Sequence, residues 1–214
     1  MSRALDELGC KLWLSDAHPA LAPLYRSIAR GWTPPKAISA DDYRAAKLLP
    51  DSDPMKALCG FAMSYAGKWF GGFDGPERRM YGTKRHIMKT DPCRAAFASL
   101  AWLRESQRVK GIFTADFFSV PVRDTAITIY CDPPYHGTTG YSMGPFDSVS
   151  FWKLCREWSR AGARVLVSER LCLVPHALRW TSRKRHEMNP ELDYRDECLF
   201  EIVRGLRSAV WVRR

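Results

Sequence analysis

Apolar residues along the chain follow two different spacings, which predict helices and strands in alternation. In one group of segments an apolar residue returns every three or four positions, as on one face of a helix. These segments are residues 1–10, 18–31, 40–49, 55–65, 92–109 and 150–162. In a second group the apolar and β-branched residues form short runs, which are typical of strands. These runs are residues 11–16, 110–117, 126–132, 163–169, 178–188 and 197–205.

This alternation predicts an α/β fold with a largely parallel sheet. The last two strands are close in sequence, so we expect them to form an antiparallel hairpin that makes the sheet mixed. A length of 214 residues suits a single domain, residues 1–214. Residues 66–86 combine glycines, aromatic rings and cations, which predicts an irregular loop. Residues 60–95, which include this loop, are a candidate insertion within the domain.

Composition narrows the class of partner. The formal net charge is +10, which favours a polyanion, with nucleic acid ahead of an acidic membrane surface. The seven cysteines include no CxxC pair, which favours reduced thiols over a disulfide framework or a zinc site, and we expect no structural metal. No apolar run reaches the ~18 residues of a membrane span. The first residues lack a signal-peptide pattern, so we expect an intracellular protein.

Three acids stand where predicted strands end: Asp16, Asp116 and Asp132. In α/β sheets, ligands bind at the carboxyl ends of the strands. An acid after a strand can also be the N-cap of the next helix, and for any one of the three the pattern leaves both interpretations open. Three such acids in one chain favour a ligand-binding edge.

The strand that ends at Asp132 is followed by Pro133, Pro134 and Tyr135. Two prolines stiffen the backbone and supply no N–H donor, so this turn presents a carboxylate and carbonyl oxygens as acceptors. Acceptors suit an exocyclic NH2 group, and the tyrosine ring can stack on its flat heterocycle. When two acceptors bind both hydrogens of the amine, the nitrogen lone pair turns out of the plane of the base. The lone pair can then attack a methyl group that is held opposite to it. The turn therefore predicts methylation of adenine N6 or cytosine N4 in a base flipped out of DNA.

With these motifs in this order, the sequence resembles the Dam-type class of DNA adenine-N6 methyltransferases, of the phage-borne kind, over nearly its whole length. The sequence at 132–135 is the catalytic motif of that class. The resemblance implies S-adenosylmethionine as cofactor, with Asp16 at its ribose and Asp116 and Phe117 at its adenine. His18 stands where the class usually has asparagine. The resemblance also implies a Rossmann-like methyltransferase fold, double-stranded DNA as substrate, and the cytoplasm of a bacterial or phage-infected cell.

The class has a first strand with a Phe-x-Gly-x-Gly cofactor loop, and this sequence contains no Gly-x-Gly. In the class that strand is central, so the resemblance implies a sheet without its first central strand. We expect the chain by itself to bind S-adenosylmethionine weakly, unless a second copy or a separately encoded fragment completes the sheet. Three alternatives stay open: a catalytically inactive DNA-binding relative, one subunit of a split methyltransferase, and methylation of cytosine N4.

Cations alternate with the rings of Trp69, Phe70 and Phe73 in residues 66–86. In nucleic-acid interfaces, cations contact phosphates and aromatic rings stack on bases. Residues 60–95 are therefore the candidate DNA-contacting insertion. The alternative is a solvated, partly packed loop. A second basic stretch lies near the tip of the predicted hairpin. The predicted DNA-binding residues are Lys68, Arg78, Arg79, Lys84, Arg85, Tyr141, Arg183, Lys184 and Arg185.

Overall fold

The computed structural model describes residues 6–7, 9–75, 79–81, 84–86, 91–120, 127–134, 143–184 and 195–203. Of these, residues 79–81, 84–86, 183–184 and 195–197 are described by their backbone alone. The chain divides into two compact units, Met1–Phe117 and Phe118–Arg214. Each unit has strands paired within it.

The first unit contains both helices and strands. Its strands are β1 (Leu12–Asp16), β2 (Arg79–Tyr81), β3 (Lys84–His86) and β4 (Val109–Thr114). Its helices are α1 (Leu21–Ala29), α2 (Ala40–Ala46), α3 (Pro54–Ala57) and α4 (Pro92–Leu100). α3 continues as a π-helical turn, and short 3-10 turns follow several elements; these turns are Leu58–Ala62, Tyr65–Gly67, Ala101–Arg104 and Phe117–Ser119.

Side-chain caps explain where three of these helices begin. The Asp42 N–H donates to Ser39 Oγ at 3.1 Å and the Ser39 N–H donates to the Asp42 carboxylate at 2.8 Å, which forms a capping box at α2. Asp53 and Asp91 each accept a backbone N–H bond at the start of α3 and α4, where proline is the first helical residue. These starts depend on neighbouring residues, so the sequence pattern could predict them.

β1 and β4 form a parallel pair, although they are far apart in sequence. Asp16 lies beside Thr114 at the carboxyl end of the pair. The Ala115 N–H extends the pairing by donating to the Asp16 carbonyl oxygen at 3.0 Å. α1 packs on β4, and the Arg26 guanidinium donates to the Ile112 carbonyl oxygen at 3.3 Å. The predicted parallel arrangement is confirmed for these two strands.

Aromatic residues from the predicted irregular loop belong to the core of the first unit. Trp69, Phe70 and Phe73 are half-buried and pack against the buried residues. This packing favours the partly packed alternative for the three rings, and their contact with bases stays a prediction. Residues 79–81 and 84–86 differ from the expected loop, because β2 and β3 pair in antiparallel orientation. The buried core residues are Ala20, Leu24, Ile28, Ile38, Tyr43, Ala46, Ala57, Leu58, Cys59, Met63, Cys93 and Leu103.

The second unit contains a mixed sheet and one long helix. Its elements are β5 (Thr128–Cys131), α5 (Ser148–Ala161), β6 (Arg164–Glu169), β7 (His176–Lys184) and β8 (Arg195–Ile202). The strand order is β5-β6-β8-β7. β5 and β6 are parallel, whereas β8 is antiparallel to both β6 and β7. The predicted mixed sheet with a C-terminal antiparallel hairpin is confirmed.

α5 packs on β6 and β8 and is held at both ends. The Asp147 carboxylate accepts the Ser150 N–H at 3.0 Å at its start, and Gly162 ends it with a left-handed φ of 111°. Ser159 Oγ also donates to the Ile202 carbonyl oxygen at 3.0 Å. The helix buries Phe151, Trp152, Cys155 and Trp158, and the strands beneath it bury Val165, Val167, Phe200 and Ile202.

The described part of the chain is a mixed α/β protein with a mixed sheet, which is compatible with a Rossmann-like fold. Within that part, β1 pairs only with β4, and β5 pairs only with β6. Among these residues, β1 and β5 each have a strand on one side and none on the other. Part of the chain lies outside the described residues, so the absence of a central strand stays a prediction. A backbone group left unpaired in a buried position costs about 1–3 kcal/mol.

All seven cysteines lie in the described residues and are free thiols, as the spacing predicted. Burial raises the pKa of Cys59 to about 12 and that of Cys93 to about 11. These thiols are therefore protonated and unreactive at neutral pH. In the same residues, no helix is long and apolar enough to cross a membrane.

Candidate functional site

Asp16 is the last residue of β1, and it shapes the turn that leads into α1. Its Oδ1 accepts the His18 N–H at 2.7 Å, and the Ala20 N–H donates to His18 Nδ1 at 3.3 Å. α1 itself has no side-chain cap, so Asp16 is not its N-cap. Among the described residues, Oδ2 of Asp16 has no hydrogen-bond partner. This oxygen can accept a hydrogen bond from a ligand hydroxyl.

His18 is buried between aromatic rings. Its ring centroid lies 4.2 Å from that of Trp69 and 4.9 Å from that of Phe61. Gly60 provides the space, because a Cβ at this position would lie 2.2 Å from the Trp69 ring. The turn at Asp16 and the segment after α3 are therefore packed against each other through His18.

Tyr25 of α1 is a further residue near Asp16 that the sequence pattern did not single out. Burial raises the pKa of Tyr25, and the negative charge of Asp16 raises it further. Coulombic interactions weaken with distance, so the Tyr25 phenol lies within electrostatic reach of the carboxylate. In the sequence, an apolar-face tyrosine of a helix cannot be distinguished from any other core residue.

The buried His18 predicts a loss of stability on the acid side of neutrality. Burial lowers the pKa of His18 from 6.5, against the opposing charges of Asp16 and Asp51. The unfolded chain therefore takes up a proton at a pH where the folded chain does not. The stability is complete above the unfolded value and falls as the pH drops below about 6.5, until the folded pKa is reached.

We expect the His18→Asn variant to lose most of this pH dependence, because asparagine does not titrate. The measurement is the free energy of unfolding in urea at about pH 7.5 and about pH 5.5. An equal decrease in the variant and the unchanged protein would show that His18 is not the group responsible.

Asp116 and Phe117 follow the carboxyl end of β4. Because β1 and β4 are parallel, these two residues and Asp16 stand at the same edge of the first unit. Asp116 is exposed and Phe117 is half-buried. The structure thus places all three residues predicted to bind the cofactor at one strand edge, with a carboxylate after each strand.

The end of β5 carries the predicted catalytic turn. Asp132 is exposed, Pro133 is buried and Pro134 is half-buried. The two prolines fix φ and remove two N–H donors, so this part of the turn offers acceptors only. Burial of Pro133 anchors the backbone while the neighbouring carboxylate stays at the surface. Tyr135, the fourth residue of the motif, lies outside the described residues.

A buried carboxylate stands at the end of the neighbouring strand, β6. The register of β5 and β6 places Asp132 next to the last residues of β6, Ser168 and Glu169. Glu169 is only 4% exposed, and its Oε1 accepts the Arg170 N–H at 2.7 Å. This bond holds the backbone directly after β6. Glu169 also adds a second acidic group at the edge that carries Asp132.

The predicted DNA-binding residues lie on different elements. Lys68 is exposed and directly precedes Trp69, so it stands on the segment packed against the Asp16 turn. The backbone places Arg79, Lys84 and Arg85 on the β2–β3 hairpin and Arg183 and Lys184 at the end of β7. The remaining predictions, Arg78, Tyr141 and Arg185, lie outside the described residues.

The predicted site residues belong to both units, with Asp16, Asp116 and Phe117 in the first and the Asp132 turn in the second. Where the structure describes the chain, no three His, Cys, Asp or Glu side chains are placed to hold a metal ion. The residues at the strand ends are therefore the feature of the molecule from which a function can be inferred. No protein-family model matches the sequence, and no curated protein matches it significantly.

Proposed function

We propose that this protein is a DNA adenine-N6 methyltransferase of the Dam-type class, which transfers a methyl group from S-adenosylmethionine to a flipped adenine. The observation that carries the proposal is the end of β5, where the exposed Asp132 precedes the buried Pro133. A stiff group of acceptors at the carboxyl end of a parallel strand suits a ligand that presents an amine.

Asp132 and Pro133 would bind the two hydrogens of the adenine amine. The Asp132 carboxylate accepts one N–H and the Pro133 carbonyl oxygen accepts the other, which turns the nitrogen lone pair out of the plane of the base. Positive charge develops on this nitrogen during the reaction, so both acceptors bind it more strongly in the transition state. The carboxylate can also take the proton that the nitrogen loses. S-adenosylmethionine, when bound, supplies an electrophilic methyl group on a positively charged sulfur.

The edge of the first unit fits the adenosine part of this cofactor. Oδ2 of Asp16 can accept a bond from a ribose hydroxyl, and Tyr25 adds a phenol close to it. Asp116 can accept a bond from the adenine amine, with the half-buried Phe117 ring against the base. The sequence supplies no Gly-x-Gly loop for the methionine part, in keeping with the weak binding expected of the chain by itself.

Transfer of labelled methyl groups from S-adenosylmethionine to unmethylated duplex DNA tests the proposal. We expect the label in N6-methyladenine after digestion of the DNA to nucleosides and separation by mass. Label in N4-methylcytosine would keep the chemistry of the Asp132 turn and change the base. Absence of label from DNA, at cofactor concentrations high enough to overcome weak binding, would contradict the proposal.

A second candidate is a catalytically inactive DNA-binding relative, or one subunit of a split methyltransferase. Two observations favour it: the sequence has no Gly-x-Gly loop, and β1 and β5 each pair on one side only among the described residues. In the split enzyme, a second copy or a separate fragment would supply a strand. DNA binding in a gel-shift assay without methyl transfer would support this candidate over the first.

A further inference from the structure

Three cations form one line along the exposed face of α5. Lys153, Arg156 and Arg160 are all exposed. At 3.6 residues per turn they fall within an arc of about 60° around the helix, and they span about 10 Å along its axis. We call these three residues the α5 cation row.

The α5 cation row has no acidic partner in the described part of the chain. Some other cations of the described residues do form ion pairs; Arg44 pairs with Asp41, Lys56 with Asp51, and both Arg164 and Arg179 with Glu201. Glu157 lies four residues after Lys153, a spacing that allows a helical ion pair, but no such pair forms there. The row is therefore a concentration of positive charge that forms no ion pair among the described residues, with Glu157 as the one acid beside it on α5.

The opposite face of α5 holds the row rigidly in place. Phe151, Trp152, Cys155 and Trp158 are buried in the second unit. Because this face is occupied by the core, α5 has no apolar face to insert into a lipid surface, as a membrane-binding amphipathic helix requires. The chemistry of the row fits a polyanion that is bound at its surface.

We propose that the α5 cation row binds the phosphate backbone of double-stranded DNA. Phosphates along one strand recur about every 3.4 Å of helix axis, so about 10 Å of the row matches roughly three of them. Phosphate contacts position DNA without reading its sequence. The inference rests on the DNA partner of the proposed function, but it does not depend on methyl transfer, and it adds a contact surface to the predicted basic residues.

The test compares two triple variants that remove the same charge from different places. The first carries Lys153→Ala, Arg156→Ala and Arg160→Ala. The control carries Lys11→Ala, Arg30→Ala and Lys36→Ala, which are exposed residues of the first unit, lie outside residues 60–95 and have no ion pairs in the described chain. Each variant loses three positive charges. Affinity for a fluorescent DNA duplex of about 24 base pairs, long enough for several phosphate contacts, is measured by anisotropy at several salt concentrations.

We expect the slope of log affinity against log salt to fall by about 2–3 in the first variant and by less than about 1 in the control. The single variant Arg156→Ala should lower the slope by about 1, and it keeps the test valid if the triple variant folds poorly.

Equal losses in both triple variants would mean that only net charge matters and would overturn the proposal. An unchanged DNA slope with lost binding to poly-glutamate would assign the row to an acidic protein instead. Methyl transfer to DNA is measured in a separate assay. DNA binding through the row without methyl transfer would contradict the proposed methyltransferase activity but would still support the α5 cation row as a DNA contact.

Discussion

Asp132→Ala is expected to lower the rate of methyl transfer to DNA by about 100- to 1,000-fold, the usual loss when one preorganised group that stabilises transition-state charge is removed. The Asp132 carboxylate is one of two acceptors proposed for the adenine amine, and its contribution grows as the nitrogen becomes positive. Rates are compared at one cofactor concentration, so weak cofactor binding by both proteins cancels. The measurement is incorporation of labelled methyl groups into duplex DNA.

The loss should not be accompanied by unfolding. Asp132 is exposed, and exposed substitutions usually change stability by less than about 0.5 kcal/mol. Glu105→Ala is the matched control, because it removes another exposed carboxylate that lies at neither strand edge. It should keep the full rate. Turnover by Asp132→Ala at the rate of the unchanged protein would exclude the proposed role of the turn.

Trp69→Ala is expected to destabilise the protein by about 3 kcal/mol, near the lower end for loss of a large aromatic side chain from a core. Trp69 packs on the core of the first unit, against His18, Phe61 and Phe70. Its removal leaves a cavity over Gly60, where the backbone cannot close the gap without moving the whole segment. The measurement is the free energy of unfolding in urea at pH 7.5, an ordinary condition for such curves, with ~1 kcal/mol readily detected.

Trp13→Ala is the control for this prediction, because it removes the same side chain from an exposed position. Trp13 is 62% exposed on β1, and its loss should cost under about 1 kcal/mol. The pair of variants distinguishes core packing from base stacking. If Trp69→Ala kept its stability and lost affinity for DNA, the ring would be a base-stacking platform and our account of this segment would be wrong.

The packing of Trp69 also bears on Lys68, the one predicted DNA-binding residue of this segment whose exposure is described. A lysine on a loose loop would lose conformational entropy when it binds a phosphate. Lys68 instead precedes a ring that is held against the Asp16 turn, so part of that ordering has already occurred. Core packing of the rings therefore does not remove the segment from the proposed DNA surface; it leaves the exposed Lys68, rather than the rings, as the residue we expect to contact DNA.

Much of the fold followed from local features of the sequence. Helices begin where Ser39, Asp53 and Asp91 accept backbone N–H bonds, and α5 ends where Gly162 adopts a left-handed conformation. β1 and β4 to β8 coincide with the predicted runs, and the last two of these strands form the expected hairpin, whereas β2 and β3 lie in the segment predicted as a loop. These features depend on residues only a few positions apart, so the spacing of residue types was sufficient to predict them.

The candidate site was predictable in its parts. Acids after the runs that became β1, β4 and β5 identified Asp16, Asp116 and Asp132, because a parallel sheet places its strand ends at one edge. Glu169 and Tyr25 were not identified as site residues. Their relation to the acids depends on the pairing of β5 with β6 and on the packing of α1, and neither leaves a signal in residue spacing.

By itself, the sequence determined the α/β class, the positions of most helices and strands, and the acceptor chemistry of the turn at 132–134, since these depend on residues close together in the chain. Only the tertiary structure decided that β1 pairs with β4 and that Trp69, Phe70 and Phe73 turn into the core. It also decided that the cations of α5 stand unpaired on a face backed by buried aromatic residues. The physical reason is that the sequence does not show whether a ring or a charged side chain points into the core or into solvent. Its surroundings are set by residues many positions away, as Gly60 and His18 are for Trp69.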